Sequence, residues 1–235
     1  MKSNIKLSLT LILTVLSGSL IPSVCPADSY TVPGNANIFS AGLSTPVAPA
    51  GGGAGTLPIS VTINPNGGNS FQFQASGSIN QGGTIGFCGP DGYQLPWGPM
   101  NINSYGGISG YFGPGLALLG VFLTDATPQA PAPSTLNFTG NNDQPNFLTL
   151  APAIGQLFFI GDGQTPGGMI QTFEIPSGAT RLFLGLPDCL NAQGGAGYYG
   201  DNSGSLAVLA TQVPEPATTA LIGVGLSLLI AVRRR

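Results

Sequence analysis

The chain of 235 residues contains no histidine, which excludes the Ser-His-Asp triad, the Cys-His pair and histidine-containing zinc sites and leaves only carboxylates for catalysis. Five of its six basic residues lie in the two terminal segments, so the region between them has one basic and eight acidic side chains, a net charge of −7. That charge excludes nucleic acid as a partner, because phosphate binding requires clustered Lys and Arg.

Residues 1–27 have the layout of a secretory signal peptide. Lys2 and Lys6 precede an apolar centre over residues 7–20, and small residues lead to a predicted cleavage after Ala27. A lipoprotein signal at Cys25 is the weaker alternative, because bulky Val24 stands where a small residue is required. Residues 28–55 follow, rich in Ala, Pro and Gly, and predict a spacer that includes the run Gly51-Gly52-Gly53.

From residue 56 the pattern changes to short stretches typical of strands. Residues 60–63 and 69–75 alternate with period two around a Gly-rich turn, which predicts a hairpin. Residues 77–115 predict a long loop with one short strand, and the apolar run 116–123 is typical of a central strand. Further strands are predicted over residues 135–139, 147–150, 154–160, 169–175, 181–186 and 204–211. The pattern predicts an all-β domain over residues 56–212, a β-sandwich or jelly roll.

The C-terminal residues 213–235 contain three parts in a fixed order. Pro214, Glu215 and Pro216 precede an uncharged run over residues 217–232, and the chain ends with Arg233, Arg234 and Arg235. As a helix the run would rise about 24 Å, slightly less than the ~30 Å hydrocarbon core, and arginines that reach the interface allow it to span. The arginines predict a cytoplasmic end and a body on the other side of the membrane.

This tail resembles the PEP-CTERM sorting signal of Gram-negative exported proteins, in which a Pro-Glu-Pro box, a hydrophobic helix and a basic end are recognised by an exosortase. The resemblance implies an exported protein that is anchored in the membrane before processing and then resides at the cell surface or in the extracellular matrix. An ordinary C-terminal anchor is the alternative, and it also places the body outside the cytoplasm.

The loop before the last predicted strand combines oxygen-bearing side chains with glycine. Asp188 opens it, and a run from Tyr198 through Asp201 and Asn202 closes it. Carboxylate, amide and backbone carbonyl oxygens are the ligands of hard cations such as calcium, and glycine lets carbonyls turn inward. The alternative is an ordinary hairpin loop, since Asp, Asn and Gly are common in turns.

This segment is similar to the calcium loop of the PA-I type galactose-specific lectins, which are small β-sandwich proteins. The resemblance implies side-chain calcium ligands at Asp188, Asp201 and Asn202, a carbonyl ligand at Tyr198, and a further carbonyl near residues 79–80. In that family sugar hydroxyls complete the metal coordination. Two departures make galactose itself less secure than calcium: the family's sugar-contacting histidine is missing, and residues 189–197 form a longer insert.

Cys88 and Cys189 are the two cysteines between the terminal segments. An even number of cysteines in an oxidising compartment predicts a disulfide, and two buried thiols are the alternative. Such a disulfide would place the Cys88 loop beside the calcium loop. Four residues of that region would then line the same mouth and bind a sugar: Asp91, Tyr93, Gln94 and Trp97. Ordinary packing is the alternative role for the two aromatic residues.

Three functional classes follow from these patterns. The favoured one is an exported calcium-dependent carbohydrate-binding domain that binds a surface glycan or exopolysaccharide. The second is a structural matrix protein whose calcium site only stabilises the fold. A hydrolase based on Asp91, Asp162 and Glu174 is the weakest, because no motif surrounds these acids, and we therefore predict that the protein is not an enzyme.

Overall fold

A computed structural model describes residues 26–82, 86–93, 98–139 and 145–213. Almost all of the predicted signal peptide and the predicted C-terminal helix lie outside these residues. The described chain forms thirteen strands: β1 Asp28–Pro33, β2 Ile59–Thr62, β3 Ser70–Asn80, β4 Phe87–Cys88, β5 Met100–Ile102, β6 Tyr111–Gly113, β7 Leu119–Leu123, β8 Thr149–Leu150, β9 Leu157–Phe159, β10 Thr172–Glu174, β11 Arg181–Gly185, β12 Gln193–Gly194 and β13 Ser203–Val213. Short 3₁₀ turns occur at Ile38–Ser40, Leu190–Ala192 and Tyr199–Asp201.

These strands form three open sheets. The largest has the order β1-β13-β3-β10-β8 with β4 also paired to β3, the second β2-β11-β7-β9, and the third β12-β5-β6. The longest pairing joins β13 to β3 in antiparallel register, from Ser203 opposite Asn80 to Val213 opposite Ser70. The prediction of an all-β fold is confirmed, whereas the predicted jelly roll is not.

The core lies between the two larger sheets. In β13, Leu206, Val208 and Ala210 are buried and alternate with more exposed neighbours, as expected for a strand with one face against a core. Phenyl rings join the sheets: Phe158 of β9 lies 5.2 Å from Phe173 of β10, ring centroid to centroid. All five residues of β7 are buried, as the apolar run 116–123 predicts. Each buried Phe contributes roughly 1.5–3 kcal/mol to folding.

The prediction of a spacer over residues 28–55 is wrong. β1 pairs with β13 along its whole length, from Asp28 opposite Ala210 to Pro33 opposite Ser205. Ile38 and Phe39 are fully buried in the core. The high content of Ala, Pro and Gly suggested a flexible segment, but the apolar residues among them dock onto the sheets. The folded domain therefore begins at β1.

The predicted hairpin is also wrong, although both of its strands exist. β2 pairs with β11, while β3 pairs with β13 and β10, so the two strands belong to different sheets. The turn between them crosses from one sheet to the other. Gln212 holds this turn, because its amide donates to the Asn64 and Gly68 carbonyls (2.9 and 2.6 Å) and accepts from the Asn64 N–H (2.8 Å).

Most of the later strand predictions contain an observed strand. Residues 147–150, 154–160, 169–175, 181–186 and 204–211 contain or overlap β8, β9, β10, β11 and β13, whereas residues 135–139 form only a single bridge, between Asn137 and Phe112. Within the described ranges no helix is long and apolar enough to cross a membrane. The predicted span, residues 217–232, lies outside those ranges.

Candidate cation site

The predicted calcium residues come together where three segments of the chain meet. β11 leads into Asp188, the turn Tyr199–Asp201 leads into β13, and Asn80 at the end of β3 is paired with Ser203. The residues that follow β3 contact both sides of the site: Gln81 donates to Asp188 Oδ1 (2.8 Å), and a Cβ added at Gly82 would lie 2.8 Å from Asp201 Oδ2. The end of β3 therefore lies beside the predicted calcium residues, where the resemblance to the lectins implies a further carbonyl ligand near residues 79–80.

Asp188 is a fully buried carboxylic acid. Its Oδ1 accepts hydrogen bonds from the Gln81 amide and from the Cys189 N–H (2.7 Å). Burial raises the pKa of Asp188 to about 7; the adjacent Asn202 side chain and the two donors lower this pKa, and the Asp201 carboxylate raises it. The ionised form is thus poorly compensated by the protein's own groups.

Two buried oxygens at this site have no hydrogen-bond partner among the described residues. They are Asp188 Oδ2 and Asn202 Oδ1, and the Asn202 side chain lies beside the Asp188 carboxyl group. The Asn202 amide nitrogen donates to the Gly34 carbonyl (3.1 Å). The amide oxygen, Oδ1, is therefore the atom of this side chain that is left without a partner. Buried polar atoms are nearly always satisfied, so these two unsatisfied acceptors indicate a missing positive charge or donor.

Within the part of the chain that the structure describes, no basic side chain is placed to supply this charge. Arg181 is the one Lys or Arg between residues 26 and 213. It lies at the far end of β11, where its guanidinium group donates to the carbonyls of Thr124 and Ala126 and stacks over the Phe183 ring. Among the described residues, therefore, no cationic side chain compensates the Asp188 carboxylate.

The loop that bears the site is anchored by Tyr199. This side chain is fully buried, its hydroxyl accepts from the Asp188 N–H (3.1 Å) and donates to the Leu186 carbonyl (2.9 Å). The Gly197 N–H donates to the Asp188 carbonyl (3.1 Å). Tyr198 adopts a left-handed backbone conformation, with φ of 70°. Non-glycine residues rarely do so, and such strain is concentrated at functional sites.

Among the described residues, no three or more His, Cys, Asp or Glu side chains are grouped so that they could hold a metal ion by themselves. A cation at this site would depend on two carboxylates, Asp188 and Asp201, together with neutral oxygens. Amide and carbonyl oxygens are available from Asn202 and Tyr198. Such an all-oxygen set suits calcium and is unsuitable for zinc, which prefers nitrogen and sulfur.

The structure describes two of the four predicted sugar-binding residues, Asp91 and Tyr93, and only Tyr93 reaches the site. Tyr93 reaches the site, because its hydroxyl donates to Gln81 Oε1 and Gln81 in turn donates to Asp188. Asp91 instead accepts from the Asp162 N–H (2.9 Å) and holds the turn after β9. The remaining two, Gln94 and Trp97, lie outside the described residues.

Cys88 and Cys189 are free thiols in the structure, so the predicted disulfide is wrong; the alternative of two buried thiols holds for Cys189, whereas Cys88 is only partly buried. Cys88 lies on β4 opposite Ile79, and Cys189 directly follows Asp188 and is buried. Burial raises the pKa of these thiols to about 11 and about 12, so both are protonated at neutral pH. Burial is the main cause that raises the pKa of the Tyr93 hydroxyl, and Asp188, Cys88 and Cys189 raise it further, which indicates that both thiols lie near Tyr93.

Sequence reasoning missed Phe87, which is 66% exposed on the edge strand β4. Phe87 lies opposite Asn80, and Asn80 lies opposite Ser203, the residue after Asn202. We call residues 188–202 the cation loop. Directly opposed residues of antiparallel strands project from the same face, and neighbouring strands are about 4.8 Å apart, so Phe87 lies about 9.5 Å from the end of the cation loop. A lone Phe in a glycine-rich segment carried no signal, because its position follows from register alone.

Residues 212–235 match the family model of the PEP-CTERM protein-sorting motif. The chain carries a PEP-CTERM sorting motif. It is therefore an exported protein that is sorted by an exosortase, as the Pro-Glu-Pro box and terminal arginines predict. No curated protein matched the chain. The likeness of the body to the PA-I type lectins stays a prediction.

Proposed function

We propose that the exported body is a calcium-dependent carbohydrate-binding domain. The observation that carries the proposal is the pair of buried, unpartnered oxygens on Asp188 and Asn202. Calcium binds six to eight oxygens, including carboxylates, amides and carbonyls. Asp188, Asp201, Asn202 and the Tyr198 carbonyl would supply the protein ligands and leave positions for hydroxyl groups of a sugar.

The surroundings of the site suit a neutral polyhydroxyl ligand. The body has a net charge of −7 with a single basic residue, so it has no cluster of cations for an anionic partner. Phe87 provides an exposed apolar surface near the cation loop, and Tyr93 and Gln81 provide polar groups beside it. Sugars combine an apolar face with a polar rim and are bound by this combination of groups.

The direct test is thermal melting of the body, residues 28–213, with calcium, with chelator, and with calcium plus a panel of simple sugars. Every described core residue lies between Val32 and Ala210, so this body contains the whole described core. A higher melting temperature in calcium that rises further with one sugar supports the proposal. No response to calcium overturns it.

The alternative is a structural matrix protein in which calcium only stabilises the loop. The two carboxylates and the buried, unpartnered oxygens are equally compatible with that role. It predicts a calcium-dependent rise in melting temperature that no sugar or exopolysaccharide fragment alters. Magnesium serves as the cation control, because its strict octahedral geometry at 2.0–2.1 Å suits this loop less well.

Replacing Phe87 by Ala is expected to weaken sugar binding by about tenfold and to leave calcium affinity and melting temperature unchanged. An exposed ring contributes little to folding, whereas an aromatic surface under a sugar is worth about 1–2 kcal/mol. Isothermal titration with the best sugar, in saturating calcium, measures the change. Leu148→Ala, at another exposed apolar residue (50% exposed), is the matched control. Equal sugar affinity in both variants would remove Phe87 from the site.

Export places this domain on the far side of the membrane from the cytoplasm. We propose that residues 217–232 anchor it before exosortase processing, and that the released body resides at the cell surface or in the extracellular matrix. Fractionation of cells with and without a functional exosortase tests this location. The body is expected in the membrane fraction without the exosortase and in the surface or matrix fraction with it.

A further inference from the structure

The cation loop packs against a run of three consecutive glycines, and a row of backbone hydrogen bonds, which we call the ladder, joins the two segments. We call Gly51, Gly52 and Gly53 the glycine strap. Its three carbonyls accept hydrogen bonds from three successive amides of the loop: Tyr198 N–H to Gly51 (2.9 Å), Gly200 N–H to Gly52 (3.2 Å) and Tyr199 N–H to Gly53 (3.2 Å). The ladder continues on one side with the Ala50 N–H, which donates to the Ala196 carbonyl (3.0 Å).

Only glycine fits the middle of this strap. All three residues have positive φ, of 84°, 71° and 95° in order. A Cβ at Gly52 would lie 2.3 Å from Cδ1 of the Tyr198 ring and 2.8 Å from the Tyr198 Cα, and one at Gly53 would lie 2.9 Å from the Gly200 Cα. A Cβ at Gly51 would meet no atom within 4 Å. The close approach is therefore specific to Gly52 and Gly53.

The ladder also determines where the loop carbonyls point. In a trans peptide the N–H of one residue and the carbonyl of the residue before it point in opposite directions. The Tyr199 N–H points at the strap, so the Tyr198 carbonyl points away from it, and the same holds for the carbonyls of Gly197 and Tyr199. The left-handed conformation of Tyr198 is held in place by the amides on both sides of it.

We propose that the glycine strap is a positioning element that orients the Tyr198 carbonyl toward the bound cation. This inference rests on the proposed calcium site and adds to it a segment that none of the predicted ligands includes. The strap itself does not touch the cation; it acts through the loop amides. Residues that orient metal ligands in this way typically change metal affinity by 10–100-fold when they are altered.

The test is Gly52→Ala, with Gly51→Ala as the matched control. Both changes place alanine at a similar positive φ, so both carry a comparable conformational cost, but only the first meets Tyr198. We expect calcium to bind Gly52→Ala at least tenfold more weakly than native protein and Gly51→Ala within about threefold of it. Calorimetric titration with calcium alone measures both, and melting in chelator reports their folding.

A second variant separates positioning from general destabilisation. Tyr198→Gly removes the ring that the new methyl group would meet and suits φ of 70°, while it keeps the backbone carbonyl. Calcium should therefore bind Tyr198→Gly with nearly native affinity. In Gly52→Ala combined with Tyr198→Gly the contacts with the ring are gone and only the 2.8 Å contact with the Cα at position 198 remains, so we expect the double variant to bind calcium at least threefold more tightly than Gly52→Ala alone. A merely structural defect at Gly52 would persist in the double variant.

The outcomes distinguish this inference from the function on which it rests. If native protein binds no calcium, the proposed function is overturned and the cation role of the strap with it. If native protein binds calcium and Gly52→Ala binds it equally well, the strap alone is overturned. Weak binding by Gly52→Ala with no recovery at all in the double variant also overturns it, because the loss would then not arise from contact with the Tyr198 ring, which is the closest contact of the new methyl group.

Discussion

Replacing Asp188 by Asn is expected to abolish the calcium-dependent stabilisation of the body while the calcium-free protein keeps its native stability or exceeds it. The native carboxylate is fully buried and its pKa is raised to about 7, so its ionised form destabilises the calcium-free fold. An amide of the same shape has no charge to bury. Its nitrogen can also donate to the unpartnered Asn202 Oδ1.

The size of this effect follows from ligand linkage. At a calcium concentration 100 times the dissociation constant, binding adds about 2.7 kcal/mol to native stability. For a domain of this size that is roughly 5–11 °C in melting temperature, and Asp188→Asn should show none of it. Melting in calcium and in chelator measures both parts of the prediction.

A matched control is Asp125→Asn, which neutralises an exposed carboxylate that accepts from the Thr180 hydroxyl (2.8 Å). This variant makes the net charge less negative by the same amount as Asp188→Asn and should retain the full calcium shift. Should Asp188→Asn keep that shift as well, Asp188 would not be a calcium ligand and the proposed site would have to be abandoned.

The fold was predictable where the chain is apolar and periodic. β7, β11 and β13 have buried residues in unbroken or alternating patterns, which is the signal that strand prediction uses. β1 was missed because Ala, Pro and Gly outnumber the few apolar residues near it, yet Val32 and Phe39 are fully buried. Composition reports the flexibility of an isolated segment, whereas docking onto β13 decides its structure.

The candidate site was predictable only in part, for a related reason. Asp188 and Asn202 lie 14 positions apart in one loop, so a local motif could suggest both. Gln81 donates to a residue 107 positions away, and Phe87 reaches the loop only through the register of β4, β3 and β13. Contacts of that kind depend on strand pairing and leave no pattern in the nearby sequence.

The glycine strap shows that the same residues can support opposite interpretations. A run of three glycines indicates a flexible linker when it is viewed alone. In the structure it forms three backbone hydrogen bonds with the cation loop, and a Cβ could not fit at two of its positions, Gly52 and Gly53. Glycine is required there for close approach between two backbones rather than for mobility.

Strand β13 connects the candidate cation site to the sorting motif. It begins with Ser203, directly after Asn202, and ends with Val213, where the sorting motif begins. Ten steps at about 3.3 Å per residue separate these ends by roughly 33 Å. β1 also begins at the Val213 end, since Asp28 is opposite Ala210. The cation loop is therefore at the end of β13 remote from Asp28 and Val213, the residues from which the predicted signal peptide and the sorting motif extend.

Replacing Tyr199 by Phe is expected to destabilise the body by about 2–4 kcal/mol and to weaken calcium binding. The change keeps the buried ring but removes the hydroxyl that accepts from the Asp188 N–H and donates to the Leu186 carbonyl. The Asp188 N–H is left without a partner, which costs about 1–3 kcal/mol, and the Leu186 carbonyl keeps only the longer hydrogen bond from the Ile38 N–H (3.3 Å), which adds about 1 kcal/mol. Because one of these groups belongs to Asp188, its release also loosens a proposed ligand.

Tyr111→Phe is the control for this change, because Tyr111 is equally buried and its hydroxyl donates to one carbonyl, that of Pro114 (2.8 Å). We expect it to cost about 1 kcal/mol and to leave calcium affinity unchanged. Denaturant unfolding in chelator measures the stability of both variants, and calcium titration measures their affinity. If the two variants match in both measurements, Tyr199 only fills the core; if Tyr199→Phe alone loses calcium affinity, its hydroxyl couples the folding of the loop to the cation site.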